Sequence, residues 1–84
     1  MKNISSFRSK VSTASLILSN DSCNTFDYVI DCLVSLCDHT PLQAEQCVLL
    51  THHIGYCEIL SGDQQDLELI EKDLVLYGLT VNII

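Results

Sequence analysis

A short stretch near the middle of the chain fixes one helix boundary, and the other elements can be placed relative to it. In Thr40-Pro41-Leu42-Gln43, a capping Thr precedes a Pro at the first helical position, and a Gln follows at the third. This is a capping box with Pro at N1, in which the Thr and Gln side chains satisfy each other's backbone donors. It predicts a helix from Pro41 to about His53 that buries Ala44, Cys47, Val48 and Thr51.

A strand and another helix are predicted before this capping box. The segment from Val11 to Leu18 is rich in β-branched and aliphatic residues and ends in a continuous apolar run, which is typical of a largely buried strand. After the polar residues Asn20-Asp21-Ser22, apolar residues recur at helical spacing from Phe26 to about Asp38, with Thr25 as the N-cap. The polar stretch is therefore a loop that is fixed at both ends.

A strand, a helix and a final strand are predicted after the capping box. Gly55 ends the second helix, and Tyr56 to Leu60 has the composition of a short strand. Apolar periodicity then predicts a third helix from about Gln64 to Tyr77, with Gly78 following its last turn. Apolar and polar residues alternate from Leu79 to Ile83, which indicates a half-buried strand.

The element order β-α-α-β-α-β predicts an α+β fold with a three-stranded antiparallel sheet that is covered by helices. At 84 residues, the chain has room for one domain with a single compact core. We assign this domain to residues 11–84. The Ser-rich residues 1–10 show little periodicity, so we expect them to form a flexible tail.

The charge balance limits the classes of partner. The formal net charge is −7 and the chain has only 4 Lys and Arg, whereas contacts with nucleic-acid phosphates need clustered basic side chains. We therefore expect no nucleic-acid partner. No apolar run approaches the roughly 20 residues that span a bilayer, and the N-terminal residues lack the apolar region of a secretory signal. We expect no membrane partner and a cytoplasmic protein.

The cysteines and histidines do not form a recognisable catalytic or metal motif. The 5 cysteines are odd in number and include no CxxC pair, so we expect reduced thiols that pack as small hydrophobes. His39, Cys37 and Cys47 could suggest zinc, but no paired ligand spacing supports it, and no metal or cofactor is expected. No thiol is distinguished as a nucleophile, so the chain is not expected to be an enzyme.

Two motifs resemble a known family. Asn20-Asp21-Ser22, followed by Asn24-Thr25-Phe26-Asp27-Tyr28-Val29, resembles the Asn-Asp-Asp and Thr-Pro-Met-Glu-Phe-Val signature of ClpS adaptors. Thr51-His52-His53-Ile54-Gly55 resembles their Val-His-Tyr-x-Gly stretch, and the element order is the same. ClpS proteins hand N-end-rule substrates to a bacterial AAA+ protease. The resemblance covers roughly Leu16 to Ile83 and implies the ClpS-like version of the α+β fold.

The resemblance also implies site residues and partners. Asn20, Asp21 and His52 would bind the α-amino group of a substrate's first residue. The pocket for its side chain would be lined by Asn24, Phe26, Val29, Val48, Thr51 and Leu79. The partners would be the N-terminal domain of a Clp AAA+ unfoldase and substrates with hydrophobic N-terminal residues, bound by a monomer. Ser22 replaces the second Asp of the motif, and Phe26 stands where many members have a Met that guards the pocket.

The residue types suit the chemistry of an α-ammonium. Its three N–H donors need acceptors around one tetrahedral nitrogen, and an Asn oxygen, an Asp carboxylate and a neutral His nitrogen can supply them. The i, i+3, i+4 spacing of Val48, Thr51 and His52 places them on one helix face. One helix could thus supply both a pocket wall and an amine ligand.

Plainer interpretations of the same residues remain open. Asn20-Asp21-Ser22 also suits an ordinary polar turn, and His52-His53 suits a helix C-terminus where cationic side chains are favoured. We take His52 as functional and His53 as structural. Phe26 and Val29 could belong to the core. An alternative function is a regulatory module that docks on the unfoldase but has lost N-degron binding, with Ser22 and Phe26 as signs of that loss.

Overall fold

The computed structural model describes residues 13–20 and 23–84, which form three strands and three helices. In chain order, these elements are β1 (Ala14–Ser19), α1 (Phe26–Cys37), α2 (Pro41–Ile54), β2 (Tyr56–Gly62), α3 (Gln64–Leu76) and β3 (Val81–Ile83). The predicted order and the α+β class are confirmed. The predicted tail, residues 1–10, lies outside the described part of the chain.

The sheet is antiparallel and has β1 at its centre, in the order β2-β1-β3. Leu16, at the middle of β1, faces Leu60 on one side and Ile83 on the other, and it is fully buried. The register with β2 shifts between Leu16 and Ile17, so that Ile59 has no Cα partner on β1. This is the arrangement of a β-bulge, which bends its strand locally.

The core lies between one face of the sheet and the helices. Alternate residues of β1 are buried, as expected for a strand with one covered face. On α2 the four residues predicted to face the core are the buried ones. The buried apolar residues form one cluster: Ala14, Leu16, Leu18, Val29, Cys32, Leu33, Cys37, Ala44, Cys47, Val48, Ile59, Leu67, Leu74 and Leu79.

The helix ends follow the predicted local chemistry. Thr25 Oγ1 accepts a hydrogen bond from the Tyr28 amide, and Thr40 and Gln43 form the complete capping box at the start of α2. Gly55 ends α2 with φ +97°, a left-handed backbone conformation that residues other than glycine rarely adopt. The capping residues therefore set where each helix of the site begins or ends.

Some predicted boundaries differ from the structure. The first strand was predicted from Val11, but β1 begins at Ala14, and residues 11–12 are not described. The second strand extends beyond Leu60 to Gly62, because β1 is long enough for Ala14 to pair with Gly62. The third helix was predicted to extend to about Tyr77, and α3 ends at Leu76 with the exposed Tyr77 as its C-cap.

The last strand was predicted to begin at Leu79, yet β3 begins at Val81, and Leu79 is buried just before it. In residues 13–20 and 23–84, no helix has the length and apolar character needed to cross a membrane.

Candidate functional site

A cavity opens where the end of β1, the start of α1 and the C-terminal half of α2 meet. It measures about 320 Å³, counting the solvent at its mouth. Its walls combine apolar side chains with amide, hydroxyl and imidazole groups. The lining residues are Leu18, Ser19, Asn20, Asn24, Phe26, Val29, Val48, Thr51 and His52.

Two backbone hydrogen bonds hold the end of β1 at the cavity. The Asn20 amide donates to the Gly55 carbonyl at 3.0 Å, and the Ser19 amide donates to the Thr80 carbonyl at 2.8 Å. Gly55 is the C-cap of α2, and Thr80 immediately precedes β3. Asn20 is therefore fixed beside the end of the helix that carries His52.

Helix α2 supplies one wall and part of the mouth. Val48 and Thr51 are buried, whereas His52 is exposed, although all three line the cavity. The Thr51 hydroxyl donates to the Cys47 carbonyl at 2.9 Å, so its proton is already used within the helix. The depth of the cavity is accordingly apolar in character, and the polar groups with freedom to bind a ligand lie at its mouth.

The aromatic ring of Phe26 borders the mouth. It contacts the His52 ring edge-on, with centroids 5.2 Å apart and an interplanar angle of 70°. The His52 ring also meets His53, at 5.5 Å and 68°. Phe26 is 43 % exposed while Val29 is 8 % exposed, so Val29 belongs to both core and cavity wall and Phe26 forms the rim.

The loop before α1 and the first turn of α1 are both tied to the turn between α3 and β3. Asn24 Nδ2 donates to the Gly78 carbonyl at 3.0 Å, and the Tyr28 hydroxyl donates to the Tyr77 carbonyl. Each bond joins residues about 50 positions apart in the chain. Asn24 was predicted as a pocket residue. It lines the cavity and also anchors the loop that forms one side of it.

The electrostatic setting favours a cation at the mouth. The cavity adjoins the C-terminal end of α2, a helix of 14 residues, where the peptide dipoles leave a partial negative charge. The chain as a whole carries a formal charge of −7. The start of α1 also borders the cavity and carries a partial positive charge, so the two helix ends oppose each other and a cation is favoured mainly on the side of α2 and by the net charge of the chain.

The buried thiols of the core are held in their neutral form. Burial raises the pKa of Cys37 to about 11 and raises that of Cys32 in the same direction. Burial also raises the pKa of Cys47, and a hydrogen bond with the Cys57 thiol adds to the effect. Loss of solvation, together with a hydrogen bond to Cys32, raises the pKa of the Tyr28 hydroxyl. These groups are neutral at pH 7 and add no charge near the site.

The cavity brings together most of the residues predicted for the site. Asp21 lies outside the described residues, so its proposed contact with an amine stays a prediction. Leu79 is buried in the core and is not one of the residues that line the cavity. The sequence prediction did not include Leu18 and Ser19, although their position at the end of a strand directly before Asn20 was a signal for them.

No metal centre is found in residues 13–20 and 23–84, where no group of three or more His, Cys, Asp and Glu side chains could hold an ion. His39, considered above as a possible zinc ligand, is buried and its Nε2 lies 2.9 Å from the Ile59 carbonyl. A ring nitrogen that faces a carbonyl oxygen donates to it, so this nitrogen carries the proton.

Comparison with solved structures identifies a close match in fold. The structure of Agrobacterium tumefaciens ClpS2 bound to L-phenylalaninamide matches with a TM-score of 0.85. The match covers 89 % of this chain and 98 % of that chain at 14 % sequence identity. It establishes the shared fold. A search of curated proteins gave no match.

Comparison with protein families gives a match along most of the sequence. Residues 9–81 match the family described as ATP-dependent Clp protease adaptor protein ClpS. The matched residues include all the helices, β1 and β2 and the whole lining of the cavity. The chain belongs to the ClpS family of Clp protease adaptors.

Proposed function

We propose that this protein binds the free α-amino group and the bulky hydrophobic side chain of N-degron substrates and delivers them to a Clp AAA+ unfoldase. The observation that carries the proposal is the cavity itself, which has an apolar interior and hydrogen-bonding groups at its mouth. A first residue with a large apolar side chain presents the same arrangement, with a charged amine next to a hydrophobic group.

In this proposal, Asn20 and His52 accept hydrogen bonds from the α-ammonium, and Asp21 supplies a carboxylate as the family resemblance implies. Charge-assisted hydrogen bonds of this kind contribute about 1.5–3 kcal/mol each. His52 must be neutral to accept, because an imidazolium has no lone pair and would repel the ligand. The partial negative charge at the end of α2 adds to the attraction.

The side chain of the first residue would enter between Val29 and Val48. Burying an aromatic side chain removes about 150–250 Å² from water, which corresponds to roughly 4–6 kcal/mol. Association costs of about 4–15 kcal/mol offset much of this gain, so micromolar or weaker affinity is expected. Such an affinity suits a factor that must release its cargo. The ligand of the Agrobacterium relative, an amide of phenylalanine, supports an aromatic first residue here.

A pair of neighbouring histidines allows a matched test. His52 lines the cavity and His53 does not, yet both are exposed and both lie in the last turn of α2. We expect His52→Ala to weaken binding of a fluorescent peptide with a free N-terminal Phe by roughly 10- to 150-fold, the equivalent of one charge-assisted bond. His53→Ala should leave the affinity within about 2-fold, since a change of a few tenths of a kcal/mol is all that an exposed neighbour contributes.

The measurement is fluorescence anisotropy with circular dichroism as a check of folding. Equal loss of affinity in both variants would show that His52 makes no contact with the amine that His53 does not also make. Unchanged affinity in His52→Ala would remove the proposed role of the imidazole.

The alternative function is an unfoldase-docking regulatory module without N-degron binding. The edge-on contact of Phe26 with His52 favours this alternative, because the Phe26 ring narrows the mouth of the cavity. Binding to the N-terminal domain of a Clp unfoldase, combined with no binding of peptides that begin with Phe, Tyr, Trp or Leu, would select this function. Binding to both would support delivery.

A further inference from the structure

Tyr28 lies in the first turn of α1 and is hydrogen-bonded through both its backbone and its side chain. Its amide donates to Thr25 Oγ1, the N-cap of the helix, at 3.1 Å. Its hydroxyl donates to the carbonyl of Tyr77, which follows the last residue of α3. Tyr28 therefore joins the start of α1, where Phe26 forms the rim of the cavity, to the end of α3.

The carbonyl that accepts this bond belongs to a well-anchored segment. The amides of Tyr77, Gly78 and Leu79 donate back to carbonyls in the last turns of α3, at 2.9 to 3.1 Å. The Leu79 side chain is 4 % exposed, so it fixes the segment in the core. The Tyr77 carbonyl is therefore held in place independently of Tyr28.

The same segment holds both ends of the loop between β1 and α1. The Thr80 carbonyl accepts a hydrogen bond from the Ser19 amide at the end of β1, and the Gly78 carbonyl accepts one from Asn24 Nδ2. The Tyr28 bond lies next to the second of these. Several cavity-lining residues are held by these bonds or adjoin a residue that is: Ser19, Asn20, Asn24 and Phe26. The shape of this side of the mouth therefore depends on the three bonds.

Tyr28 differs from Ser19 and Asn24 because it does not line the cavity. Its ring borders a separate groove between α1 and Tyr77. A peptide in the cavity would therefore not contact the Tyr28 hydroxyl. Any effect of this hydroxyl on peptide binding must act through the position of the loop and of the first turn of α1.

We propose that Tyr28 is a positioning residue for N-degron binding, which holds the mouth of the cavity in its binding geometry through the bond from its hydroxyl to the Tyr77 carbonyl. The inference rests on the function proposed above. Without this bond, the start of α1 would sample other positions, and only a fraction of the molecules would be ready to bind. The apparent dissociation constant is the intrinsic constant divided by that fraction, so every peptide should lose affinity by the same factor.

The three tyrosines of the chain provide a matched set of variants. Tyr28→Phe removes only the donating hydroxyl and keeps a ring that is 39 % exposed, so the fold should be retained. Tyr77→Phe is the nearest control, because Tyr77 accepts the bond through its backbone carbonyl and not through its hydroxyl. Tyr56→Phe removes an exposed hydroxyl on β2 and is the second control.

Fluorescence anisotropy with two peptides, one beginning with a free Phe and one with a free Leu, measures the effect, and circular dichroism checks folding and the melting temperature. We expect Tyr28→Phe to weaken binding of both peptides by the same factor, roughly 3- to 10-fold, as for the loss of one hydrogen bond. Tyr77→Phe and Tyr56→Phe should stay within about 2-fold of wild type.

A loss of affinity in Tyr28→Phe no larger than in the two controls would overturn the inference. A lower melting temperature with unchanged affinity would do the same, because the hydroxyl would then support only the fold. Weaker binding of one peptide alone would also contradict it, since a smaller competent fraction affects both peptides equally. If wild type bound neither peptide, the proposed function would be refuted and this inference with it, whereas normal binding by Tyr28→Phe refutes this inference alone.

Discussion

His39 gives a sharp prediction about what holds the second strand in shape. Its imidazole is 6 % exposed, and Nε2 donates at 2.9 Å to the carbonyl of Ile59, the bulge residue of β2. The other ring nitrogen, Nδ1, is buried without a hydrogen-bond partner. Replacing His39 with Ala removes the donor to the bulge and leaves the space of the ring empty.

The expected cost can be worked out from these contacts. Leaving a buried carbonyl without its donor costs about 1–3 kcal/mol, and the cavity left by the ring adds to this. Removing the unpartnered Nδ1 offsets part of this loss of stability, since a buried polar atom without a partner is itself unfavourable. We therefore expect His39→Ala to lower the free energy of unfolding by about 2–3 kcal/mol. The free energy of unfolding of the whole domain should be roughly 4–13 kcal/mol, at about 0.05–0.15 kcal/mol per residue.

Urea denaturation followed by circular dichroism measures this loss, and the melting temperature should fall by roughly 10–20 °C. His39→Gln keeps an amide donor within reach of the Ile59 carbonyl, so it should lie between wild type and His39→Ala. His53→Ala removes an exposed histidine and should stay within about 0.5 kcal/mol. If His39→Ala also stayed within that range, the bond to the bulge would not support the strand, and the reasoning would be wrong.

Three further predictions concern the site and its surroundings. Asn24→Ala should lower stability by about 1 kcal/mol in urea denaturation, because the bond to the Gly78 carbonyl is lost, and no change in the urea midpoint would contradict this. Phe26→Ala should open the rim of the cavity and raise the affinity for peptides beginning with Ile or Val relative to peptides beginning with Phe, as measured by anisotropy. If the ratio of these affinities equalled that of wild type, Phe26 would have no role in selecting the first residue. The pKa of Cys37 is raised to about 11 from 9.0, so its contribution to stability is complete below pH 9 and is lost as pH rises towards 11. The urea midpoint should therefore fall less over that interval in Cys37→Ala than in wild type, and parallel curves would refute the assignment.

Local chemistry made much of the fold predictable from the sequence. The capping box at Thr40 and the glycine at Gly55 fix both ends of α2, and periodicity within it identified the buried face. The boundaries of the strands were less predictable, because they depend on pairing. Gly62 belongs to β2 because it pairs with Ala14 of β1. The residues around Gly62 in the sequence do not indicate that pairing.

The site was predictable where it follows from spacing within one motif or helix and not where it depends on long-range contacts. The spacing of Val48 and His52 places them together on α2, and both line the cavity. The hydrogen bond of Asn24 to Gly78 joins residues 54 positions apart, so the anchoring role of Asn24 could not be inferred locally.

The central claim is that the mouth of the cavity recognises a free α-ammonium. The most direct measurement compares one peptide with an N-terminal Phe in its free and acetylated forms, using anisotropy at the same pH and ionic strength. Acetylation removes the charge and the donors but keeps the side chain, so binding should weaken by at least roughly 10-fold. Equal affinity for the two forms would contradict the claim.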